Sequence, residues 1–179
     1  RGGACTFPSL LAWWRDPSYE YQFGSIFCAV RVSLGFAAFE DWKYVYSYGF
    51  ATGIVRAVTA VPGHAIFGVF MGYFYGYAKL SDYWGRDDDR KAYLALSVVV
   101  PVLMHGCYDF LAFTQESDSR FTLLFYAYLV ALYVFGIRRV NRSSRDDRRV
   151  TRETVFDYFR RMQYPMPPQY RDRNDDFWR

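Results

Sequence analysis

Residues 57–78 read AVTAVPGHAIFGVFMGYFYGYA, a stretch with no formal charge and a single ionisable side chain, His64. A helix needs about 20 predominantly apolar residues to cross the hydrocarbon core of a bilayer, and this stretch meets that requirement unaided. Three more runs of the same kind surround it. Residues 22–39 are interrupted only by Arg31, residues 92–113 carry only His105 and Asp109, and residues 121–137 carry no charge. The chain of 179 residues is 52% hydrophobic and 22% aromatic. Such content excludes a disordered body, and a soluble fold of this size has no use for four such runs. The sequence therefore predicts an all-α, multi-span transmembrane helix bundle of about four spans.

The mean hydropathy of −0.13 conceals this because it averages an apolar body with a polar tail. Residues 138–179 hold 12 Arg against 7 acids, whereas residues 1–137 hold 10 Lys and Arg against 11 acids. We divide the chain accordingly into a membrane core, 1–137, and a charged tail, 138–179. Basic residues collect on the cytoplasmic side of membrane proteins. The cluster Arg138, Arg139, Arg142, Arg145, Arg148 and Arg149 thus predicts a multi-pass protein of the cell membrane with a cytoplasmic C-terminus. The segment 79–91 falls on the same side. The segments 41–56 and 114–120 are expected to be external loops, although Lys43 and Arg56 fit the first poorly. Within the tail, Val155, Phe156, Phe159 and Met162 recur at helical spacing beside Arg160 and Arg161, which suits a short helix on an anionic membrane surface. The tail's acids are interspersed and no nucleic-acid motif is present, so the bilayer and not nucleic acid is the expected partner.

Three cysteines, Cys5, Cys28 and Cys107, are too few and odd in number for a disulfide scaffold, and each is expected to be a free, buried thiol. The chain opens on Arg1 with no signal-peptide pattern and reads as part of a longer sequence.

Ionisable residues inside spans are costly and mark function. Five stand out: Arg31, Glu40, His64, His105 and Asp109. His105 and Asp109 are four apart and share a helix face, which would let the carboxylate orient the imidazole or serve as a structural pair. His64 heads a stripe continued by Gly68, Gly72 and Gly76, the spacing that lets a second helix approach closely. Glu40 closes the first apolar run, with Phe36 on its face, where an acid can also sit among headgroups. Arg31 lies on the opposite face from Glu40.

Three segments, in order, carry a resemblance to a known family. Gly35-Phe36-Ala37-Ala38-Phe39-Glu40-Asp41 is similar to a GFAxxEN segment, with Asp41 in place of the usual Asn. Arg56, then Val61-Pro62-Gly63-His64-Ala65 and Gly72-Tyr73, is similar to an R…PGHA…Gy segment. His105-Gly106-Cys107-Tyr108-Asp109-Phe110, preceded by Pro101, is similar to HGxYDF. Asp16-Pro17 resembles the turn before the first of these. Over about residues 12–114 the chain resembles the PrsW family of intramembrane proteases, which is related to the CPBP superfamily of type II CAAX prenyl proteases. The family's Glu-Glu-x-x-Lys motif belongs ahead of this region, and no adjacent Glu pair occurs in the sequence.

The resemblance implies an intramembrane endopeptidase acting on a transmembrane protein substrate through carboxylate-activated water. It assigns catalytic roles to Glu40, His64, His105 and Asp109, with the base in the absent motif. No cofactor is required in that scheme. The absence of HExxH places a metal below it, although zinc held by His64, His105 and Glu40 is possible. The alternative is a non-catalytic scaffold that binds a partner's transmembrane segment, a fate known in the same superfamily. A proton or ion relay ranks third.

Overall fold

The computed structural model describes residues 22–114 and 119–145, and these form four helices and no strand. They are α1 (Gln22–Tyr48), α2 (Phe50–Tyr83), α3 (Asp87–Thr114) and α4 (Ser119–Arg145). All four are long and apolar enough to cross a membrane. The short helix expected over residues 154–163 of the tail lies outside the described residues.

The helices exceed the apolar runs that predict them. No external loop spans residues 41–56: α1 continues through Trp42 to Tyr48, and Gly49 alone separates it from α2. Gly49 has φ 88°, a left-handed conformation that glycine adopts without a Cβ penalty. The added turns carry stacked aromatics, Trp42 on Tyr46 and Tyr44 on Tyr48. Such rings are favoured at the membrane–water boundary, so hydropathy alone cuts the helix short. Glu40 consequently lies eight residues inside the end of α1 instead of at a span terminus. The segment 79–91 is likewise mostly helical. Asp87, Asp88 and Asp89 form the first turn of α3, where the helix dipole favours acids. At the other end, α4 passes through Arg138 and Arg139 to Arg145 without a break.

The packing is inverted relative to a soluble protein. Large apolar side chains such as Phe39, Val102, Leu123 and Phe135 are exposed, as expected where lipid replaces water outside the bundle. The buried set includes small and polar residues, Ser25, Ala29, Ala37, His64 and Ser97, beside a few large apolar ones such as Phe67 and Leu132. α2 is central, packing against α1, α3 and α4, while α1 and α3 flank it and barely meet.

The α1–α2 hairpin is the tightest pairing. A Cβ on Gly68 would stand 2.7 Å from Val30 Cα, and one on Gly72 would strike the Ile26 backbone. The glycine stripe is thus the surface on which α1 lies. Ser25 Oγ donates to the Gly72 carbonyl at 2.7 Å and Ser33 Oγ to the His64 carbonyl at 2.6 Å. The two bonds are eight residues apart on each helix, which fixes the antiparallel register and sets the His64 backbone opposite Ser33 in the middle of α1.

The cysteines depart from expectation. Cys28 is buried but disulfide-bonded. Cys107 is free, yet exposed on the outer face of α3, because its position turns away from the face that carries His105 and Asp109. Arg31 is also exposed, with its guanidinium 4.2 Å from the centre of the Phe27 ring. It takes no part in the interior.

Candidate active site

Glu40 comes from α1, His64 from α2, and His105 and Asp109 from α3, so the four residues to which the resemblance assigns catalytic roles converge from three helices. Glu40 is nine residues from the hairpin turn at Gly49, about 13 Å along the helix at 1.5 Å per residue.

His64 is 3% exposed. Its Nε2 donates to Glu40 Oε2 at 3.0 Å. His105 Nε2 is 3.9 Å from Glu40 Oε1 and 3.5 Å from Asp109 Oδ2. It is buried and has no hydrogen-bond partner. The imidazoles meet edge to face with centroids 4.8 Å apart. Phe36 and Phe67 each pack against both rings, which fixes their planes in an apolar frame. Asp109 approaches the same nitrogen that faces Glu40. It therefore crowds the functional edge of His105 and does not grip the ring from behind.

Two charged residues complete the cluster. Arg56 Nη2 donates to Glu40 Oε2 at 2.7 Å and Arg56 Nε donates to Asp41 Oδ1 at 2.6 Å. Arg56 also lies 4.0 Å from the centre of the Tyr44 ring. In the sequence Arg56 reads as a misplaced loop cation. The missed signal is register: a hairpin about Gly49 sets position 56 against positions 40 and 41. Asp41, at the position where the resemblance expects Asn, supplies a formal charge to this pair.

A second network supports the backbone near His64. Pro62 has no N–H for the carbonyl four residues earlier, and that carbonyl, Val58, accepts a hydrogen bond from Tyr133 Oη on α4 at 2.9 Å. Tyr108 Oη donates to Thr59 Oγ1 at 3.1 Å, and Tyr128 Oη to the Met104 carbonyl at 2.7 Å. These tyrosines link α2, α3 and α4 around the core of Phe67, Tyr108, Phe125, Leu129 and Leu132. Hydropathy gives no indication of them.

The donor set suits a divalent cation. One ligand atom each from Glu40, His64 and His105 lies within 4.8 Å of the others, and His105 Nε2 lacks any other partner. Three carboxylates, Glu40, Asp41 and Asp109, face one guanidinium, Arg56. With neutral imidazoles this leaves two formal negative charges in excess. Two His and one carboxylate match the three protein ligands of catalytic zinc sites, which keep a fourth position open.

The fold and site thus define a multi-pass helical membrane protein with a histidine–carboxylate centre enclosed between its spans. Residues 5–137 match the family described as PrsW family intramembrane metalloprotease, and the chain belongs to that family. It is 32% identical over 142 residues to Protease PrsW of Shouchella clausii (strain KSM-K16), covering 75% of this chain and 63% of the relative. It is 36% identical over 125 residues to Protease PrsW of Bacillus subtilis (strain 168), covering 70% and 54%. Protease PrsW of Clostridioides difficile (strain 630) is 26% identical over 147 residues, covering 80% and 58%. The chain therefore spans a little over half to under two thirds of the length of these curated relatives. No solved structure matches it significantly.

Proposed function

We propose that this chain is the catalytic core of an intramembrane endopeptidase that hydrolyses peptide bonds of transmembrane proteins. The observation that carries the reading is the convergence of Glu40, His64 and His105 within a bundle of membrane-length helices, with a buried His105 Nε2 left unpaired. Family membership supports the reaction class. The excess negative charge of the centre favours a cation-holding site over a metal-free one, in which His64 and His105 alone would polarise the substrate.

His64, His105 and Glu40 would hold a divalent cation such as zinc, the cation replacing the proton that His64 Nε2 donates to Glu40. When bound, such an ion polarises a carbonyl and makes water a nucleophile near neutral pH. The protein's own groups do the rest. Arg56 holds Glu40 in place and balances its charge. Phe36 and Phe67 keep the imidazoles in their planes and exclude bulk water, which strengthens electrostatic contacts in the site. Asp109 adds a carboxylate beside the free Nε2 of His105, and its partial exposure gives water a polar entry. A carboxylate from the Glu-Glu-x-x-Lys motif, which the family carries ahead of this region, would accept the water's proton. The substrate would enter between α1 and α3, where the centre opens.

The test is cleavage of a model transmembrane substrate by the full-length protein reconstituted in liposomes, with metal analysis of the same preparation. Glu40→Gln, His64→Ala and His105→Ala should each lower cleavage by about 100-fold or more while remaining folded. The wild type should carry about one divalent ion per chain and the variants less. Undiminished cleavage by Glu40→Gln and His105→Ala overturns the assignment. A wild type that binds the transmembrane segment without cutting it makes the protein a scaffold.

A further inference from the structure

The two phenylalanines that flank the imidazoles are held in different ways. Phe67 is 4% exposed and belongs to the core that α2 shares with α3 and α4. Its ring centre lies 5.6 Å from that of His64 and 5.5 Å from that of His105. Phe36 meets the same two rings at 5.7 and 6.2 Å, yet it is 53% exposed. The structure assigns Phe36 a role beyond packing: its ring is the movable wall of the substrate site, and its bulk limits the residues beside the scissile bond to small side chains. The inference rests on the endopeptidase reading and adds to it the class of substrate residue accepted.

Position is the first support. Phe36 lies one helical turn from Glu40 on the same face of α1. It reaches His105 on α3 across the seam where those two helices barely meet. Phe67, packed with Tyr108 and Leu132, closes the opposite approach to the imidazoles. A substrate carbonyl that reaches Glu40, His64 and His105 from between α1 and α3 therefore arrives where the Phe36 ring stands.

Freedom to yield is the second. Glu40 is tied to Arg56 at 2.7 Å and to His64 at 3.0 Å, and Phe67 is locked in the core. Phe36 has neither restraint. Its neighbour Gly35 borders open space, with nothing within 4 Å of a Cβ placed there, and Ala38 is small and exposed. Turning the ring outward exchanges two imidazole contacts for contacts with acyl chains, which are as apolar as the interior it leaves.

Size follows from the same geometry. A displaced ring still fills part of the seam, and that volume is denied to the substrate. Steric exclusion of this kind is steep, because even a single methylene can change specificity about tenfold or more.

The experiment uses the full-length protein in liposomes and two transmembrane substrates with either Ala or Phe at both residues flanking the scissile bond. The wild type should cleave the Ala substrate with kcat/KM at least about tenfold higher. Phe36→Ala should raise cleavage of the Phe substrate about tenfold and keep the Ala substrate within about threefold. Leu123→Ala, exposed on α4, should change neither. If the alanine variant does not fold, Phe36→Leu should shift the ratio in the same direction by less. A readout independent of cleavage is the reaction of His64 with diethyl pyrocarbonate in chelator-treated protein, followed by mass spectrometry. It should run about fivefold faster in Phe36→Ala, because the deleted ring leaves a cavity beside the imidazole. An unchanged substrate ratio, or an equal loss on both substrates, overturns the inference and leaves Phe36 a packing residue. A wild type that cleaves neither substrate overturns the endopeptidase reading instead. Unchanged His64 labelling would then overturn the movable wall as well.

Discussion

Tyr133 on α4 caps the carbonyl that Pro62 strips of its helical donor: its hydroxyl lies 2.9 Å from the Val58 oxygen and 3.1 Å from that of Thr59. In hydrocarbon a freed backbone carbonyl has no water to turn to, so a neighbouring helix supplies the bond. Pro62 stands two residues before His64, and the brace therefore acts on the turn that delivers His64 to Glu40.

Tyr133→Phe removes only the hydroxyl and should destabilise the bundle by about 1 kcal/mol, the scale of interhelical bonds in membranes. Tyr126→Phe, on the exposed side of the same helix, should change little. The midpoint of unfolding in mixed micelles measures both. Equal behaviour of the two variants would remove the brace from the account.

The α1–α2 hairpin makes an opposite pair of predictions for two glycines. Gly72→Ala would drive a methyl into the Ile26 backbone, which cannot move aside as a side-chain tip can, and should cost about 1–3 kcal/mol. Gly35→Ala meets nothing within 4 Å and should be neutral or slightly stabilising, because alanine favours helix over glycine. Thermal unfolding of the two variants side by side checks the register of the hairpin directly.

Arg56 and Asp41 separate charge from geometry. Arg56→Ala leaves Glu40 and Asp41 without their shared guanidinium and should cost about 3–5 kcal/mol, as removal of one partner of a buried pair does. Asp41→Asn keeps an oxygen for Arg56 Nε and should retain folding and cleavage within about threefold. A severe loss in Asp41→Asn would mean that the extra charge, not the acceptor atom, is what this centre requires.

Access to the centre is predicted to be lateral. In a Cys107→Ser background, Phe39→Cys, next to Glu40 and exposed on α1, should crosslink to a cysteine near the scissile bond of a transmembrane substrate. Leu123→Cys, exposed on α4, should not. Crosslinking from α4 with none from α1 would place the entry on the other face of α2.

Much of the site was legible because ionisable residues are conspicuous in an apolar run. Glu40, His64, His105 and Asp109 are few, and their cost in a membrane marks them. Arg56 was legible only as the leading residue of the R…PGHA segment, with no role attached to it. Hydropathy assigned it to a loop, and only the one-residue turn at Gly49 turns that loop into two helices that face each other. The tyrosine brace was hidden for a related reason: Tyr108, Tyr128 and Tyr133 look like ordinary span residues until their hydroxyls find particular backbone carbonyls and Thr59.

By itself, the sequence determined the helical class and the number of spans, since bilayer thickness and the need to satisfy every backbone group leave an apolar run little choice. It also determined the surface for close packing, because the four-residue glycine spacing is a local property of one helix. Only the tertiary structure decided where those spans end, which nitrogen of His105 is left unpaired, and that Arg56 joins Glu40 to Asp41. Those outcomes depend on the register between helices, and register is set by contacts between residues far apart in the chain.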